Sequence, residues 1–234
     1  MKNLLLALVM VLIASSALAA ERRDIKDVDS DSFTTDTQVT PLGAGDTHVA
    51  LIWWIPNEFW ESILARDQTM APADKQGMLN AMSGVSLLAV VQADTTQFGA
   101  FQFYPKDEVE KKMTISFTDA EGKTHEIAPL QEIKPDLEVV LGVFKPILGA
   151  AMGNLGKNMH FYVLDDSSEE APRMLDPYEA GTINIELVKR TDEKMPATIE
   201  LPLNSLFIPR KCPNGKDAHV TWKFCPWTGK KLDD

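Results

Sequence analysis

Residues 136–164 constrain the fold most. They read D-L-E-V-V-L-G-V-F-K-P-I-L-G-A-A-M-G-N-L-G-K-N-M-H-F-Y-V-L. Leu137, Val140, Leu141, Phe144, Leu148, Ala151 and Met152 recur at three- and four-residue spacing, the period of a buried helix. Gly153, Gly156 and Asn158 then break that period, and residues 159–164 carry the aromatic and β-branched content of a strand. A long apolar helix feeding an apolar strand is enough to nucleate an α+β core. Gly149 and Gly153 form a G-x-x-x-G pair, which in a soluble chain reads as a tight core contact.

The segments around this centre supply more strands and short helices. Residues 48–54 read as a buried strand, and a short helix follows from Pro56 with Phe59, Trp60, Ile63 and Leu64 on one face. A helix is expected over 72–82 and a central strand over 85–93, hairpinned to 98–104. The charged residues 108–112 read as a solvated turn. Met113, Ile115 and Phe117 alternate with threonines and a serine before the turn at 119–123, a clear hairpin signal. The acidic, Pro-containing residues 165–180 read as a surface loop, and alternation at 183–188 and 199–204 gives two further strands. Pro202 puts the second at a sheet edge. The fold class is α+β, with a mostly antiparallel sheet packed on two or three helices over residues 48–208.

The ends bound the compartment. Residues 1–19 have a basic Lys2, an apolar run from Leu4 and an Ala17-Leu18-Ala19 cleavage pattern, which reads as a secretory signal peptide. A periplasmic or secreted location is expected, with no membrane span once the leader is removed. The best later candidate, 139–155, is interrupted by Lys145-Pro146. Net charge is −11, and −12 without Lys2, which works against nucleic acid and anionic surfaces as partners. Residues 20–47 are polar and read as a partly disordered arm. Asp27, Asp29 and Asp31 open it like a calcium loop. However, Ser32 stands where the loop needs Gly and Gln38 where it needs Glu, so a solvated acidic arm is expected.

Three of the five tryptophans, Trp53, Trp54 and Trp60, cluster at one strand-to-helix corner. Buried aromatics are the expectation there, and exposed rings would give a ligand or partner surface. Trp53 and Trp54, with Phe101, Phe103 and methionines, would line the cavity of an apolar-ligand carrier.

Residues 211–232 read K-C-P-N-G-K-D-A-H-V-T-W-K-F-C-P-W-T-G-K-K-L. This resembles a zinc ribbon, in which two C-P-x-C-G knuckles grip one zinc with four thiolates. The second cysteine of each knuckle is missing, and Thr228 holds one of the two places. The resemblance implies that residues 209–234 form a small tail bringing Cys212 and Cys225 within bonding reach. In an oxidising compartment it implies a disulfide, whose loop of about 14 residues stabilises by roughly 3 kcal/mol. Zinc held with His219 and Asp217, or two free thiols, are the alternatives. Trp222 and Trp227 would then dock on the main domain or on a partner.

No cofactor motif is legible. Residues 153–158 look like a phosphate loop but lack its first Gly and its Ser or Thr. His48, His125, His160 and His219 are isolated in sequence, and His160 near Asp165 and Asp166 is the first suspect for a catalytic pair. The balance leans away from an enzyme. The expected function is a non-catalytic binding or interaction protein of a bacterial cell envelope, meeting an envelope protein partner. A carrier of a small apolar ligand and an exported hydrolase are the alternatives.

Overall fold

A computed structural model describes residues 20–44, 47–167 and 173–232. The expected signal peptide and the acidic Glu169-Glu170 pair lie outside them. The chain is α+β with antiparallel sheets, as the periodicities require. Its described residues hold six α-helices, more than the two or three expected, because three short ones carry little periodic signal.

The first five strands and four helices run in chain order: α1 (Ser30–Thr37), β1 (Gln38–Val39), β2 (His48–Ile55), α2 (Asn57–Arg66), α3 (Pro72–Ala81), β3 (Val85–Thr95), β4 (Phe101–Phe103), α4 (Lys106–Lys111) and β5 (Met113–Asp119). Then come β6 (Thr124–Ile127), α5 (Pro135–Ala151), α6 (Gly153–Lys157), β7 (His160–Asp165), β8 (Gly181–Val188) and β9 (Lys194–Leu201), with β10 (Arg210–Lys211) and β11 (Asp217–Ala218) in the tail. In the first sheet β3 is central. It pairs with β2 along one side, and on the other with β7 over its first half and β4 over its second. Nine consecutive residues of β3 are buried, so its apolar run is continuous instead of alternating. The second sheet, in the order β6-β5-β8-β9, has one buried face, and the alternation of β9 follows from it. Side chains from both sheets meet in one core. Pro196 sits in edge strand β9, where a missing N–H costs nothing, and Pro202 lies just beyond its end.

Two expectations are corrected here. The polar arm is built into the domain: Val28 and Phe33 are fully buried, Asp29 Oδ1 accepts from Ser32 N at 2.8 Å to cap α1, and β1 adds a short edge to β2. Arg23 N donates to Leu206 O, and Ile208 N to Glu21 O, both at 2.8 Å, so the segment before α1 is also pinned. Two large apolar anchors and side-chain caps suffice to order a stretch whose composition reads as solvated. The charged residues after Pro105 form helix α4, whose Val109 is fully buried.

The expected buried helix is α5, but only its Leu137, Val140, Leu141 and Gly149 are buried. The tight glycine contact is between Gly149 and Gly156, not Gly149 and Gly153. A Cβ on Gly156 would lie 2.7 Å from the Gly149 backbone. Gly153 instead takes φ +60° at the break between α5 and α6.

Candidate functional site

Trp53, Trp54 and Trp60 are buried. Trp54 Nε1 donates to Ser86 Oγ at 3.0 Å and Trp53 Nε1 to Thr37 Oγ1 at 3.1 Å. Phe59 stacks edge-on against both Trp53 and Trp60, with centroids 5.2 and 5.4 Å away. These three tryptophans hold α2 against the first sheet and are closed to a ligand or partner in this structure. Phe101 lies exposed on β4, so the aromatic set expected of a carrier is not gathered around one cavity. An open cleft of about 510 Å³ lies between α1 and the tail, and its walls, which include Arg23, Asp29, Asp31, Asp36 and Asp217, are polar and acidic.

Two of the four histidines find carboxylates, His48 with Asp94 and His125, whose Nε2 lies 3.1 Å from Asp119 Oδ2, but the first suspect, His160, does not. His160 Nε2 lies 2.8 Å from Tyr104 O, at the opposite end of β7 from Asp165. Buried His48 Nδ1 lies 2.9 Å from Asp94 Oδ1, and Tyr104 Oη donates to the same oxygen at 3.1 Å. Arg190 donates to Asp94 Oδ2 and makes two 2.8 Å bonds to Glu108. Arg190 stacks 4.0 Å over the Tyr104 ring. Despite the partial burial of Asp94, its bonds to His48 and Tyr104 hold its carboxyl below the usual range. Among the described residues no hydroxyl or thiol is hydrogen-bonded to His48. His48 Nε2, the atom that would take a proton from a serine, is buried with no partner among the described residues. The network ties β2, β3 and α4 to the loop after β8, which is a structural task.

A second buried network escapes sequence reasoning altogether. Arg173 reaches Asp166 Oδ2 through Nε at 2.9 Å and Nη2 at 2.7 Å, and Glu58 Oε1 through Nη1 at 2.5 Å. The Asp166 side chain is fully buried and that of Glu58 nearly so. Burial pushes both carboxyls above their usual range, with the Arg173 charge opposing it.

The tail folds as two facing turns. Cys212 N donates to Lys216 O, Gly215 N to Cys212 O, Cys225 N to Lys230 O and Gly229 N to Cys225 O, each at 2.8 Å. Gly215 and Gly229 take positive φ there. Both cysteines are buried free thiols, close enough for a hydrogen bond between them. Burial acts to raise the Cys225 thiol, but bonds from Cys212, Thr228 and the backbone N–H groups of Trp227 and Thr228 bring it down to about 7. Burial and the neighbouring Cys225 push Cys212 up to about 11. No cluster of three or more His, Cys, Asp or Glu suited to a metal exists among the described residues. The inner side of the tail docks on the main domain, with Val220 N donating to Asn204 Oδ1 at 2.9 Å. Trp222 is half-buried and Trp227 exposed.

The remaining candidate is the outer face of α5. Val139, Val143 and Ile147 are 69%, 58% and 57% exposed. Gly142, Pro146 and Ala150 are exposed too and fall at the same i, i+3, i+4 spacing, so six uncharged residues form one stripe along the helix. The opposite face is anchored by Leu137, Val140 and Leu141, and by Phe144, whose ring lies 4.4 Å from that of Trp60. No helix among the described residues is long and apolar enough to cross a membrane.

Compared with known protein families, curated proteins and solved structures, the chain matches none.

Proposed function

We propose that this protein is an exported, non-catalytic interaction protein of the bacterial cell envelope, and that it meets a protein partner through α5. The observation that carries the reading is the stripe Val139, Val143, Ile147, flanked by Gly142, Pro146 and Ala150. A water-facing helix usually places charges on its outer face; this one presents an uncharged seam there. Seventeen residues at about 1.5 Å each give roughly 25 Å, the contact length of one helix laid alongside another. We commit to a partner that offers an apolar helix face. A single helix face falls short of the roughly 800 Å² per partner of a stable interface, which suits a transient complex. Export is supported by the leader pattern at residues 1–19. In an oxidising compartment the neighbouring thiols of Cys212 and Cys225 would close to a disulfide.

The test is a photo-crosslinking amino acid placed at Val143 in living cells, with exposed Lys123 as the comparison position. A discrete adduct at Val143, absent at Lys123 and lost when Val139 and Ile147 are both changed to Lys, supports the reading. Equal adducts at both positions, or none at Val143, would overturn it. An adduct of twice the chain mass would replace the partner by a second copy.

A further inference from the structure

The tail reverses the charge of the rest of the chain. Residues 20–209 carry sixteen basic and thirty-one acidic side chains, whereas residues 210–234 carry six basic and three acidic. Lys211 is neutralised by Asp217. Lys216, Lys223, Lys230 and Lys231 are exposed and form no ion pair among the described residues. Between them stand the exposed rings of the tail, Phe224 at 59% and Trp227 at 48%. Phe224 bridges Lys231 across the second turn, and Lys216 Nζ lies 4.7 Å from the Trp227 ring.

We propose that this tail docks on an anionic phospholipid surface, its four lysines meeting headgroup phosphates while Phe224 and Trp227 enter the interfacial layer. Lysines near such a surface attract it additively, and aromatic rings with one wet edge settle at headgroup depth. The thirty-one acidic residues elsewhere are repelled by the same surface, which orients the molecule tail-first. A single-stranded nucleic acid would use the same charges but needs an open ring face for a base to stack on. One face of Trp227 is covered by Lys216, and the ring packs at 73° against Trp222, so insertion of its free edge suits it better. The inference is independent of the partner reading for α5, since it rests on different residues.

The experiment is flotation of the chain from Ala20 onward with vesicles of phosphatidylcholine alone or mixed with phosphatidylglycerol. Binding is expected to the mixed vesicles only and to weaken with salt. The triple change K223E, K230E, K231E should lower affinity at least about a hundredfold, since each lysine contributes roughly fivefold and three such factors multiply. The companion K223Q, K230Q, K231Q, which removes charge without reversing it, should fall in the same order. Brominated lipid should quench tryptophan fluorescence in the parent and not in W227F. Equal binding to neutral vesicles, no binding to anionic ones at low salt, or undiminished binding by both triple variants overturns the proposal. Tighter binding to a single-stranded oligonucleotide or heparin at the same salt would overturn it in favour of a polyanion. Changes at Val139 and Ile147 should leave vesicle binding unaltered.

Discussion

Replacing Arg173 by Met would leave two buried carboxylates without their cation. Arg173 makes three bonds of 2.9 Å or less to Asp166 and Glu58, whose side chains are 0% and 8% exposed. Methionine fills much of the volume of the arginine stem, so little of the loss comes from packing. Removing one partner from a buried ion network costs about 3–5 kcal/mol, because the remaining charge stays desolvated. At this chain length that lowers the thermal midpoint by roughly 10 °C. The loss should also depend on pH with a definite sign. Both carboxyls already sit above their usual range, so the folded state holds more protons than the unfolded chain, and stability falls as pH rises through the folded values. Without Arg173 they move higher still, so the defect should be largest at pH 7 and shrink towards pH 5. Urea unfolding at both values reads this out. A loss below about 1 kcal/mol at pH 7, or one equal at the two pH values, would refute the reasoning.

Glu58→Gln should cost under about 1 kcal/mol at pH 7, since Arg173 keeps Asp166 and one desolvated charge is relieved; its urea midpoint should also vary less with pH above 4.5 than the parent's. Gly156→Ala should destabilise by roughly 1–3 kcal/mol, because its Cβ meets the Gly149 backbone at 2.7 Å, and the α5–α6 amides should exchange faster by hydrogen–deuterium measurement. Arg190→Met should cost only about 1–2 kcal/mol, as Asp94 and Glu108 are partly solvated. Both carboxyls lie below their usual range, so that contribution is present above the unfolded value and lost as pH falls through the folded one. Acid unfolding of the variant should therefore begin to approach the parent only below about pH 4 and coincide with it once the pH is under both folded values.

Where one face of an element is buried and the other wet, its sequence reads plainly. Ile183, Ile185 and Leu187 of β8 point inward and alternate with half-buried neighbours, and the hairpin turning at Gly122 was equally clear. Helix α5 misleads because it is apolar on both faces: Leu137, Val140 and Leu141 supply the inward period, and Val139, Val143 and Ile147 add an outward one that raises the apparent burial. Helices α1 and α4 are illegible in the sequence because one or two inward residues each, Phe33 and Thr37 in one and Val109 in the other, leave no period to count. The Glu58–Arg173–Asp166 network spans 115 positions, a separation no local pattern reports. The reversed charge of the tail was readable from composition taken segment by segment; the net −11 of the whole chain hides it.

Native mass spectrometry of the protein taken from its own compartment tests the central claim most directly. The expected mass is that of the chain from Ala20, less two hydrogens for a Cys212–Cys225 bond, with no small-molecule adduct. A mass that retains residues 1–19 would contradict export. A tightly held apolar adduct would contradict the interaction reading and make the protein a carrier.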